Sequence, residues 1–177
     1  MSFSLFTQQY LQLAWQILDF CQKNHYKISV AESCTGGLLS ALFTEIAGSS
    51  LVFEMGFVSY GNNFKQQILQ VNAQTLEQKG AVSFEVAKQM AENTLQIAKA
   101  NFALAITGIA GDDAVFKLDN SSKNDSNKPQ GLVFIALASN VAGIDSVVKE
   151  FFLTGNRSEI RLLAIKNALE MIVHYFR

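Results

Sequence analysis

The sequence predicts an α/β protein: a three-layer α/β/α sandwich around a mixed, mostly parallel sheet of about five strands. Three observations predict it. Helical repeats of apolar residues alternate with short, buried, β-rich runs along most of the chain. The last two such runs, "GLVFIALAS" and "SVVKEFFL", follow one another through "NVAGID" with no helix between them, which suits a hairpin and makes the sheet mixed. The composition, 49% hydrophobic and 16% charged over 177 residues, suits one folded domain (residues 1–177) with a real core and not a disordered chain.

Each element has its own local reason. Residues 4–23 read as a helix because Phe6, Tyr10, Leu13, Ile17 and Cys21 recur at steps of three and four. "YKISVAE" is a short buried strand that runs into the turn "SCTGG". "LLSALFTEIAG" is helical, with Gly48 as its expected stop. "SLVFEMGFVSYG", rich in β-branched and aromatic residues, is a second strand closing at Tyr60. "FKQQILQV" and "AQTLEQK" read as short helices. Ser83 is the expected cap of the next helix, with Glu85 favoured in its first turn and Phe84, Ala87, Met90, Ala91, Leu95 and Ala98 facing inward. "FALAITGIAG" is a third strand entering a glycine-rich turn. Residues 112–130 are polar, hold the lone proline, and are expected to form a mobile loop within the domain. A last helix over 157–176 buries Leu162, Ile165, Leu169, Ile172 and Phe176.

Charge and composition narrow the function classes. A net charge of -1 offers no phosphate-backbone grip on nucleic acid. No apolar run approaches the roughly 18–20 residues of a membrane span, and the N-terminus lacks the basic-then-apolar order of a signal peptide. The two cysteines, Cys21 and Cys34, make neither a disulfide framework nor a zinc cluster, and His25 and His174 have no ligand-spaced neighbours. The sequons "NSS" and "NDS" carry no weight without an export signal. The expectation is a reduced, cytoplasmic protein with no metal, no cofactor, and neither nucleic acid nor membrane as partner. The apolar N-terminal helix and the helix ending in "MIVHYFR" could each pack on a second copy, so a homo-oligomer is compatible with the sequence.

Ligands of open α/β sheets bind at the carboxyl ends of the strands, and those ends carry Ser33, Tyr60 and Thr107. In "SVAESCTGGLL" the N–H groups of Thr35, Gly36 and Gly37, at a helix start, could form a nest for an anion. The same residues would also suit a plain polar turn, and spacing alone leaves both readings open. A nucleophilic serine needs a base within hydrogen-bond reach. With neither histidine at a strand end, Tyr60 and Lys65 are the candidates, through a desolvated neutral lysine or a lysine-stabilised phenolate; the bland alternative is a rim position for both. "TGIAG", with Thr107 and Gly108, is a weak signal for phosphate or oxyanion binding. Arg157 and Arg161, four residues apart, could clamp a phosphate or simply be solvated. Asp112 and Asp113 could meet magnesium, but a doublet lacks a third ligand.

Taken in order, "AESCTGG", "FVSYGNNFK", "GAVS", "TGIAG", "KPQGLVFIAL" and "TGNR" resemble the C-terminal domain of the competence/damage-inducible CinA proteins, including its stand-alone form PncC, over almost the whole chain. The resemblance implies an α/β/α sandwich and a nicotinamide-nucleotide amidase without cofactor. Such an enzyme converts nicotinamide mononucleotide to nicotinate mononucleotide and ammonia in pyridine-nucleotide salvage. It further implies Ser33 as nucleophile and Tyr60 and Lys65 as the proton-transfer pair, without deciding which of the two takes the serine proton. Backbone N–H groups in the glycine turns would serve oxyanion and phosphate, with Thr35, Gly36, Gly37, Thr107, Gly108 and Arg157 expected at the substrate. Glu32 would orient the serine turn or Lys65, or else face water. The separate pyrophosphatase domain that CinA proteins often carry is not expected in a chain of this length. Gly61 stands where the family usually has serine, with "NF" ahead of Lys65. "TGIAG" is followed by "DDAVFKLD" in place of a proline and a glycine-rich loop. Two alternatives remain: a catalytically impaired nucleotide-binding regulatory module, and an amidase for a different small amide.

Overall fold

Side-chain alternation along buried strands sets the layers of this fold. The computed structural model describes residues 4–111, 125 and 127–176. In chain order it contains α1 (Gln8–Lys23), β1 (Ile28–Glu32), α2 (Leu38–Thr44), β2 (Phe53–Val58), α3 (Asn62–Gln67), α4 (Ala73–Lys79), α5 (Phe84–Ala98), β3 (Phe102–Gly108), β4 (Leu132–Ser139), β5 (Val147–Phe152) and α6 (Arg157–Val173). Short 3-10 turns lie at Ser49–Leu51 and His174–Phe176.

The strands form one sheet in the order β2-β1-β3-β4-β5. β1 runs parallel to both β2 and β3, while β4 is antiparallel to β3 and to β5. The expected hairpin therefore exists, and the sheet is mixed as its two adjoining strand runs require. One face presents Ile28, Val30, Phe102, Leu104, Ile106, Val133, Ile135 and Leu137 to α1, α2 and α6. The opposite face presents Ala31, Ala103, Ala105, Ala136 and Ala138, against which Val86, Ala87, Met90 and Ala91 of α5 pack. On that face the sheet offers a row of alanines, and the larger Val86 and Met90 of α5 fill the space above them.

Several boundaries move, each for a local reason. α1 begins at Gln8, not at residue 4; Leu5 is exposed while Phe6 tucks against the core. α2 stops at Thr44, and Gly48, at φ 86°, opens the following 3-10 turn instead of ending the helix. β2 ends at Val58, so Tyr60 lies just beyond the strand. α3 occupies 62–67, earlier than "FKQQILQV" suggested. Ser83 caps α5 by accepting from the N–H of Val86, as its position predicts, but Phe84 points outward and is half exposed. Phe176 sits in the terminal 3-10 turn and stacks on Phe20 of α1, with ring centroids 3.8 Å apart. The expected loop at 112–130 lies largely outside the described residues, as do Asp112 and Asp113.

Candidate active site

At the carboxyl end of β1 the chain leaves the sheet as Ser33–Gly37 and re-enters structure as α2. Three anchors shape this loop. The N–H of Ser33 donates to the carbonyl of Ile106 on β3 at 3.0 Å. Arg161 of α6 donates from Nη2 and Nε to the carbonyl of Thr35, at 2.7 and 3.3 Å. Gly36 and Gly37 adopt φ of 60° and 92°, where a side chain is strained, and this turns the chain sharply into α2.

The third anchor is Glu32. It is fully buried, not a strand-end acid facing water. Its carboxylate accepts from the N–H groups of Gly37, Leu39 and Ser40 and from the Ser40 hydroxyl. The start of α2 is thereby satisfied from within the protein. Gly36 donates its N–H to the Ser33 carbonyl, so neither glycine amide is turned to a substrate anion as the sequence suggested. Thr35 is buried with its hydroxyl unpartnered among the described residues, and none of these three residues lines the cavity described below.

Lys65, on α3, reaches back beneath this loop. Its Nζ lies 2.9 Å from Ser33 Oγ, 2.7 Å from the carbonyl of Ser59 and 3.1 Å from that of Tyr60. The whole side chain is shielded from solvent. Burial lowers the lysine pKa from 10.5 to about 8, against the opposing pull of nearby acidic groups that include Asp125. A neutral amine has two N–H donors and one lone pair. Two carbonyls and one serine hydroxyl match that inventory group for group. Cys34, next to the serine, is held as a neutral thiol, its pKa pushed up to about 12 by burial.

Tyr60 stands differently from the sequence expectation. Its carbonyl touches Lys65, whereas its exposed phenol oxygen accepts from Arg157 Nη2 at 2.8 Å. Thr107 is also otherwise engaged, donating its hydroxyl to the carbonyl of Ala81 at 2.8 Å. Gly108 is small because β4 passes beside it: a Cβ there would come 2.7 Å from the Leu132 carbonyl oxygen. We expect Gly108→Ala to lower the melting temperature by several degrees, since overpacking costs about 1–3 kcal/mol; a melt unchanged from wild type would contradict this contact.

Together these groups border a cavity of about 430 Å³, lined by Ser33, Cys34, Tyr60, Lys65, Thr107, Gly108 and Arg157 among others. That lies within the roughly 300–1,000 Å³ of small-molecule sites. The far wall, Ala81 and Val82, is tied down by residues that motif reading missed. Asp125 accepts from both N–H groups, at 2.8 and 3.2 Å. Lys128 Nζ bonds Asp125 and the carbonyls of Lys79 and Val82. In the sequence Lys128 belongs to the polar stretch 112–130 and to "KPQGLVFIAL", and nothing in its spacing points to the wall. Among the described residues no three His, Cys, Asp or Glu side chains gather as a metal site, and no helix is long and apolar enough to cross a membrane.

Residues 11–176 match the family profile of the CinA C-terminal domain. A competence-damage inducible protein of Thermoanaerobacter sp. (strain X514) is 42% identical over 159 residues, covering 90% of this chain and 36% of that protein. A CinA-like protein of Syntrophomonas wolfei subsp. wolfei is 45% identical over 151 residues, covering 85% and 33%. The chain thus spans about a third of the length of these curated relatives. Among solved structures, the competence/damage inducible protein CihA from Agrobacterium tumefaciens superposes with a TM-score of 0.85 at 38% identity, covering 99% of this chain and 100% of that one.

Proposed function

The chain belongs to the CinA C-terminal domain family, and from that premise we propose that it is a serine amidohydrolase converting nicotinamide mononucleotide to nicotinate mononucleotide and ammonia. The observation that carries the reading is the buried contact of 2.9 Å between Lys65 Nζ and Ser33 Oγ, with the lysine pKa drawn down to about 8. Close to that pH a substantial fraction of Lys65 is neutral and free to take a proton.

The chemistry follows from that pair. Neutral Lys65 removes the Ser33 proton as Oγ attacks the carboxamide carbon, forming a tetrahedral adduct. The adduct collapses when the Lys65 ammonium returns the proton to the departing nitrogen; ammonia leaves and an acyl-Ser33 ester remains. Lys65 then deprotonates a water that attacks the ester, and its ammonium returns that proton to the departing Ser33 Oγ, releasing the acid and regenerating both the serine hydroxyl and the neutral lysine. One amide and one water give one acid and one ammonia. Lys65 is the base in this scheme because its Nζ, and not the Tyr60 phenol, meets the serine. Tyr60 contributes its carbonyl to holding Lys65 and its phenol to holding Arg157.

Phosphate recognition falls to Arg157. Among the described cations that line the cavity, Lys65 is spent on Ser33 and two carbonyls and Lys128 on two carbonyls and Asp125. Arg157 keeps one arm on Tyr60 and lies against Gly111, where a Cβ would come 3.0 Å from Nη1. Arg157→Ala is expected to raise KM for the mononucleotide about tenfold or more while changing kcat much less, the pattern of lost ground-state binding. The function itself is tested by ammonia release from nicotinamide mononucleotide, its riboside and free nicotinamide. No release from the mononucleotide by folded protein would refute the activity, and equal rates on all three would refute a phosphate-reading site.

A further inference from the structure

Four hydrogen bonds converge on one buried carboxylate beside the nucleophile. Glu32 Oε2 accepts from the N–H of Gly37 at 3.1 Å and of Leu39 at 3.0 Å. Its Oε1 accepts from the N–H of Ser40 at 2.8 Å and from Ser40 Oγ at 2.7 Å. These amides belong to the start of α2, where intrahelical acceptors are lacking. The backbone of the same residue reaches the other half of the dyad. The Glu32 carbonyl accepts from the N–H of Ser59 at 2.9 Å, and the Ser59 carbonyl accepts from Lys65 Nζ at 2.7 Å. One residue therefore grips both the loop that presents Ser33 and the segment that holds Lys65.

Room for this grip comes from a residue outside the cavity. Gly56, exposed on edge strand β2, has no left-handed φ that would call for glycine. A Cβ at that position would instead lie 2.4 Å from Ser40 Oγ and 3.1 Å from Ser40 Cβ. Any side chain on Gly56 must displace the hydroxyl that donates to Glu32.

We propose that Glu32 is a positioning residue for the Ser33–Lys65 dyad: its carboxylate sets the loop so that Ser33 Oγ stays in reach of Lys65 Nζ, and Gly56 remains small so that Ser40 can complete the hold. The inference rests on the proposed function only in taking Ser33 and Lys65 as the reacting pair. A carboxylate suits the task because it is acceptor-only and four donors face it. Glutamine has the same shape but would turn an NH2 group against donors that need an acceptor. Reacting groups misplaced by fractions of an ångström lose rate without losing affinity.

The test compares Glu32→Gln and Gly56→Ala with wild type and with Ile172→Val, a core substitution on α6 away from the cavity. Labelling of Ser33 by a fluorophosphonate, followed by peptide mass, reads the serine's reactivity without any natural substrate; kcat and KM on nicotinamide mononucleotide are measured alongside. Labelling rate and kcat are expected to fall about 100-fold in Glu32→Gln and about tenfold in Gly56→Ala, with KM held within about twofold. Ile172→Val should stay near wild type in all three, although its melting temperature drops, which separates positioning from general loosening. Wild-type labelling in a folded Glu32→Gln protein overturns the proposal. If that variant does not fold, Gly56→Ala decides, and wild-type labelling there overturns it equally. Wild-type protein that labels at Ser33 yet does not hydrolyse the mononucleotide removes the substrate assignment and leaves the positioning role intact. Absence of labelling at wild-type Ser33 overturns both.

Discussion

Ser33→Ala is expected to reduce turnover of nicotinamide mononucleotide by at least about 1,000-fold while leaving the protein folded. In the proposed mechanism Oγ is the atom that attacks the amide, and among the described residues no neighbour replaces it. Cys34 is the nearest candidate, yet burial holds its thiol neutral with a pKa of about 12, so the thiolate needed for attack is scarce at working pH. What remains is catalysis by substrate binding alone, which in serine hydrolases leaves a small residue of the full rate. Folding should survive because Lys65 keeps its two carbonyl partners when the serine hydroxyl is lost. The measurement is ammonia release beside a thermal melt with and without the mononucleotide. Retained ligand-induced stabilisation with lost turnover is the expected pair of results; turnover within tenfold of wild type would remove Ser33 from the mechanism.

Lys65→Met should be equally severe for activity, and its signature lies in pH dependence. With a pKa of about 8 in the folded protein, the lysine is roughly one-tenth neutral at pH 7 and nine-tenths neutral at pH 9. Wild-type kcat/KM should therefore rise with pH through about 8 and level off, because the base must be unprotonated. Lys65→Met should lose about 1,000-fold or more and show no such limb. Stability runs in the same direction. Between about pH 8 and 10.5 the unfolded chain keeps the lysine proton that the folded chain has released, so folding becomes more favourable as pH rises across that window. Below pH 8 the penalty for burying the charge is at its full value, about 3 kcal/mol from the size of the shift. Relative to Lys65→Met, wild type should gain about 2 kcal/mol between pH 8 and pH 10 in denaturant titrations. A flat difference would mean that the amine is not desolvated as its position implies.

Much of this site lies open in the chain order. Ser33, Tyr60 and Thr107 fall at or beyond the carboxyl ends of β1, β2 and β3, where parallel strands leave side chains exposed to a crevice. The motifs around them are local, and local geometry is what a short stretch of sequence encodes. Partnerships are not local. Tyr60 and Lys65 are equally plausible bases by spacing, but packing sends one phenol to Arg157 and buries one amine against Ser33. The glycine amides of "SCTGG" look free in sequence, yet a carboxylate from the preceding residue claims part of that helix start first. Asp125 and Lys128 close the cavity wall at Ala81 and Val82 across some forty residues of chain, a distance at which periodicity says nothing.

By itself the sequence determined the architecture and the address of the site. Alternating apolar strands, amphipathic helices and a helix-free final strand pair admit one layered solution, because each apolar face must be covered. It also determined which reactive residue types stand at the strand ends. The tertiary structure alone decided their protonation and their pairing. Whether a lysine is a cation at the rim or an amine beside a serine depends on how much water and which acceptors surround it, and those surroundings are assembled from β1, β2, α2, α3 and α6 only when the chain has folded.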